Sequence, residues 1–93
     1  MVENFEQDDF DLLDQSAKQV LRALSQFDKG LLVKVDLLHR KTGLMPEGLN
    51  DAVRHLSKSK LIDILETPKR MLPYEFYAVE ITDFGREMLA QFG

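Results

Sequence analysis

Gly43 and Pro46 stand three residues apart between two stretches of helical apolar spacing, and this pair constrains the chain more than any other feature. A glycine just past a periodic segment closes a helix in a left-handed conformation. A proline suits the first position of the next helix, where its missing N–H has no intrahelical partner to lose. Leu44 and Met45 are then all that joins the two helices. The first covers Val35 to Thr42 and buries Leu37 and Leu38 with Val35. The second runs from Pro46 to about Ser59, with Leu49, Ala52, Val53 and Leu56 on one side.

Upstream, Leu13, Ala17, Val20, Leu21, Leu24 and Phe27 fall in steps of three and four and predict a helix from Leu13 to Phe27. Asp14 to Ser16 supply its acidic or capping residues, and Gly30 is expected to end it as a left-handed cap. Leu31 to Val33 reads as a brief strand. Downstream, Leu61 to Leu65 reads as a strand, and Thr67 to Pro73 as a loop framed by two prolines. Tyr74 to Ile81 reads as a second strand with Tyr77, Val79 and Ile81 on one face. Thr82 is placed to cap a last helix, Asp83 to Gln91, whose apolar side is Phe84, Met88, Leu89 and Phe92. Residues 1–11 hold Glu3, Glu6, Asp8, Asp9 and Asp11 with Phe5 and Phe10, and are expected to form a flexible acidic arm. Residues 12–93 make one α+β domain, since a chain of 93 residues has no room for two ordinary cores.

The net charge of −4 is unevenly spread: residues 1–33 carry −4, residues 34–70 carry +3 and residues 71–93 carry −3. A basic middle between acidic ends points to a binding face there. The absence of cysteine removes disulfides, thiolate zinc sites and cysteine nucleophiles. No apolar run approaches the roughly 18 residues of a membrane span, and the acidic start lacks a signal-peptide pattern. A cytoplasmic protein is expected. No glycine-rich phosphate loop and no Ser-His-Asp set can be argued, and His39 and His55 stand apart without clustered ligands. The expectation is a protein that is not an enzyme, with no catalytic residues, metal or cofactor.

The order helix, short strand, helix, tight turn, helix, strand, loop, strand, helix resembles the winged helix-turn-helix family of DNA-binding regulators. It is most similar to the small dimeric MarR- and PadR-like branch. The resemblance covers roughly Asp14 to Phe92. Three stretches carry it: VDLLHRKTGLMPEGLNDAVRHLSKSKLI for the paired helices, DILETPKRMLPYEFYAVEIT for the wing, and ITDFGREML for the closing strand-to-helix junction.

The resemblance implies a three-helix core with a two- to three-stranded β-wing and a C-terminal helix. It also implies a homodimeric transcriptional regulator that binds double-stranded DNA sequence-specifically. Residues 46–59 would enter the major groove as the recognition helix, and residues 66–74 would lie on the backbone or minor groove as the wing. The outward face of that helix then carries Glu47, Asn50, Asp51, Arg54, His55 and Lys58. Asn50 would pair with adenine and Arg54 with guanine. Lys41, His55 and Lys58 would contact the phosphate backbone, and Lys69 and Arg70 the backbone or minor groove. Leu13, Val20, Leu24, Phe84, Met88 and Phe92 would form the dimer. Two positions depart from the family: Met45 replaces a capping Ser or Thr, and Lys60 replaces a glycine before the wing. Glu47, Asp51 and the acidic ends suit an alternative, a winged helix that binds a protein partner and no DNA.

Overall fold

Most of the apolar stripes read above close on one another in an α+β fold, with five helices and a three-stranded antiparallel sheet among the described residues. The computed structural model describes residues 5–65 and 72–93. The helices are α1 (Gln7–Asp11), α2 (Gln15–Ser25), α3 (Val35–Thr42), α4 (Pro46–Lys58) and α5 (Asp83–Phe92). The strands are β1 (Val33–Lys34), β2 (Ile62–Ile64) and β3 (Ala78–Ile81), with β3 between the other two. Val33 faces Val79 across the first pairing, and Ile62 faces Ile81 across the second. The core gathers Ala17, Val20, Leu21 and Leu24 of α2, Val35 and Leu38 of α3, and Leu49, Ala52, Val53 and Leu56 of α4 against the sheet. No described helix is long and apolar enough to cross a membrane.

Helix ends are set by local chemistry. Asp14 caps α2 by accepting from the Ala17 amide at 2.8 Å. Gly43 closes α3 at φ 70°, and its N–H donates to the His39 carbonyl at 2.7 Å. Beyond α4, Lys60 adopts φ 63°. Its N–H donates to Ser57 at 3.0 Å, and the Leu61 N–H donates to Leu56, also at 3.0 Å. This is the paired 5→2 and 6→1 bonding of a Schellman ending, with lysine where glycine is the unstrained choice. At the start of α5, the Thr82 hydroxyl accepts from the Gly85 amide at 2.8 Å and lies 2.9 and 3.0 Å from the Lys60 and Leu61 carbonyl oxygens. Gly85 has no room for a side chain, because a β-carbon there would overlap the Leu61 carbonyl oxygen.

The structure corrects four expectations. First, α2 stops at Ser25 rather than near Phe27, and Gly30, although left-handed at φ 85°, belongs to a later turn closed by the Leu31 N–H on Asp28. The reason is distant in sequence: Arg86 of α5 donates to the carbonyls of Ser25 (3.2 Å) and Phe27 (2.8 Å), so the chain has left the helix there with its acceptors satisfied. Second, the strand expected over Tyr74 to Ile81 is only Ala78–Ile81, because β1 and β2 offer two and three residues to pair with. Tyr74 and Phe76 instead meet edge-on at 6.3 Å.

Third, the described part of the N-terminal segment is not a flexible arm. Glu6 and Asp9 form a capping box around α1, and Phe10 is buried. Phe5 meets Phe84 edge-on at 6.1 Å and Phe92 at 6.2 Å, while Phe10 lies 6.2 Å from Phe92. The two phenylalanines pin the segment to the chain's own α5. Fourth, the residues expected to pair two chains pack within this one, with Phe84 and Phe92 half-buried. Val20 and Leu24 are 0% and 1% exposed, Leu13 and Met88 are 7% and 9%, and Phe84 and Phe92 are packed against Phe5.

Candidate nucleic-acid interface

Two short helices and one loop build the candidate face. The turn between α3 and α4 is Gly43, Leu44 and Met45, and it is tied down on both sides. Gln19 of α2 donates to the Thr42 carbonyl at 2.8 Å, and the Thr42 hydroxyl donates to Leu38 at 2.8 Å. Nδ1 of His39 lies 2.7 Å from the Leu44 carbonyl oxygen, so that nitrogen carries the proton. The buried stripe of Leu49, Ala52, Val53 and Leu56 then fixes the roll of α4, leaving Glu47, Asp51, Arg54, His55 and Lys58 exposed and Asn50 half-buried.

The residues assigned to base reading are already bonded within the chain. Asn50 Nδ2 donates to the Pro73 carbonyl at 3.2 Å, and its Oδ1 accepts the Glu75 amide at 2.9 Å. Arg54 donates through one terminal nitrogen to Asp51 at 2.9 Å and through the other to both Glu75 oxygens at 2.8 Å. The two carboxylates, Glu75 foremost, hold the guanidinium pKa above its already high usual value. These bonds fasten residues 73–75 to the outer side of α4. The two residues expected to read bases thus clamp this segment to α4.

The other expected contacts are dispersed. Lys58 and His55 line an open cleft of about 310 Å³ with Asp14, Asp51 and Arg54. His55 also borders a second cleft of about 300 Å³, floored by Phe5, Leu12, Leu13 and Phe84. Lys41 stands over the Phe27 ring at 5.7 Å, beyond the end of α2. Lys69 and Arg70 lie outside the described residues. Leu72 and Met45 are exposed at 83% and 69%. Among the described residues there is no group of three or more histidine or carboxylate side chains that could hold a metal ion.

Sequence reasoning missed Pro73 and Glu75. The Asp51–Arg54 spacing of three on a helix was a legible signal for an ion pair. Nothing local announces that a residue 21 positions further on completes it. The chain matches no known protein-family model and no curated protein.

Proposed function

We propose that this chain is a winged helix-turn-helix domain that binds double-stranded DNA through α4 and the β2–β3 loop, and that it acts in the cytoplasm as a transcriptional regulator. One juxtaposition carries the reading. Two helices are joined by a three-residue turn with a left-handed glycine, and the residues before β3 are hydrogen-bonded along the exposed side of the second helix. A helix pair of this kind presents its second helix to a groove, and an adjoining hairpin extends the same face toward the backbone. Lys58, Lys41, Lys69 and Arg70 are the phosphate contacts of this reading.

The test is fluorescence-polarisation binding to random-sequence duplex over a salt series. Four phosphate contacts predict a slope of about −3.6 in log K against log salt, since each contributes about −0.9. Lys58→Glu should weaken binding to all sequences alike and flatten the slope by about one contact. A folded protein that binds no duplex at low salt overturns the reading.

One observation favours a second reading, a protein-binding module. Arg54 is matched by two carboxylates, Asp51 and Glu75, so the centre of the face has a net negative charge, with Leu72 exposed beside Pro73. Such a surface suits a partner with basic and apolar side chains. Absence of duplex binding together with saturable binding to a protein would select it.

A further inference from the structure

We propose that Glu75 is an internal competitor of nucleic acid for Arg54, and that it sets the affinity of the α4 face. The inference rests on the DNA-binding reading given above. Arg54 is the cation at the middle of α4's exposed side, and its two terminal nitrogens both reach carboxylates: Asp51 from the same helix, and Glu75 through both oxygens. Between them the two carboxylates occupy both terminal nitrogens, the donors that a phosphate or a guanine edge would use. DNA therefore gains Arg54 only by displacing Glu75.

The clamp is built to open on one side. Glu75 is held by its backbone amide to Asn50 Oδ1 at 2.9 Å, so its main chain stays docked when its carboxylate is released. Asp51 and Arg54 share one helix and move together. Arg54 and Glu75 are 59% and 57% exposed, so neither is sealed from an incoming phosphate. At such exposure a surface pair yields to a partner of higher charge density. Removing the Glu75 carboxylate frees the cation while the docked main chain keeps its place.

The experiment compares duplex binding of the wild-type chain, Glu75→Gln, Arg54→Met and the double variant over a salt series, with Glu87→Gln as a control for charge alone. Glu87 is exposed on α5. Glu75→Gln should tighten binding about tenfold at low salt and steepen the salt slope by about 0.9, one added phosphate contact. In the Arg54→Met background the same change should give less than a twofold gain, a non-additivity that marks direct coupling. Glu87→Gln should change affinity by less than twofold. The Glu75 amide is followed by hydrogen exchange to show that the loop stays docked in each variant. Equal gains with and without Arg54 overturn the inference, because Glu75 would then act by charge alone. Unchanged affinity of Glu75→Gln, with clear wild-type binding, overturns it as well. Absence of binding by every variant overturns the DNA-binding reading itself.

Discussion

Gly85 and Gly48 occupy the same place in two helices, the third position of α5 and of α4, yet replacing each by alanine should change stability in opposite directions. Helix propensity treats both alike and favours alanine by up to about 1 kcal/mol. The surroundings differ. A β-carbon at Gly48 would meet nothing nearer than the Ser16 hydroxyl at 4.0 Å. At Gly85 it would overlap the Leu61 carbonyl oxygen and lie 3.0 Å from Cγ1 of Ile81. That carbonyl cannot swing aside, because it accepts the Thr82 amide at 3.1 Å and lies within reach of the Thr82 hydroxyl. The first turn of α5 must retreat from the end of α4. Overpacking of this kind costs about 1–3 kcal/mol, and weakening two or three hydrogen bonds adds about 1–3 kcal/mol. Less a propensity gain of about 1 kcal/mol, Gly85→Ala should destabilise by about 1–5 kcal/mol, a melting temperature lower by about 4–8 °C for each kcal/mol at this chain length. Gly48→Ala should stabilise by about 0.5–1 kcal/mol. Urea unfolding followed by circular dichroism reads both as midpoint shifts at unchanged slope. A neutral or stabilising Gly85→Ala would falsify the close approach of α5 to Leu61.

Three further substitutions probe other parts of the argument. Lys60→Gly removes a left-handed cost of about 1–2 kcal/mol and restores about 0.5–1 kcal/mol of unfolded-chain entropy, so a net gain of about 0.5–1 kcal/mol is expected in urea unfolding; a loss would mean that the Lys60 side chain outweighs its backbone strain. Phe10→Ala, at a position 3% exposed, should cost about 3 kcal/mol or more in the same unfolding assay. Asn50→Ala should raise the hydrogen-exchange rate of the Glu75 amide about fivefold, on the order of 1 kcal/mol for the bond it loses, with the amides of Leu49 and Val53 unchanged.

What was legible in the sequence was what is local. Gly43, Pro46 and Thr82 mark helix ends by side-chain and backbone chemistry within four residues, and each stands where it was read, while Asp14, read inside the first turn of a helix from Leu13, caps one that starts at Gln15. The α4 stripe was legible for the same reason: Leu49, Ala52, Val53 and Leu56 share one side by helical spacing alone. The end of α2 was not, because the group satisfying its last carbonyls is Arg86, about 60 residues away. The length of β3 was not, because a strand extends only as far as its neighbours pair with it. Phe5 and Phe10 stood out as the apolar residues of an acidic segment, but only the fold shows that α5 is what they cover.

The same distinction separates facing outward from being available. Helical spacing turns Asn50 and Arg54 to the outside of α4, and base-reading chemistry suits both, yet the polar groups of residues 73–75 reach them first. An exposed arginine whose donors already hold two carboxylates can take up another anion only after one of them leaves. Binding by such a face is an exchange of partners, and its strength is the difference between two contacts rather than the worth of one. Lys58, for which no ion pair is found among the described residues, follows the simpler rule and should contribute its charge directly. Two arms of the proposed titrations therefore carry opposite signs on one helix: Lys58→Glu weakens binding by removing a free cation, and Glu75→Gln strengthens it by releasing a bound one.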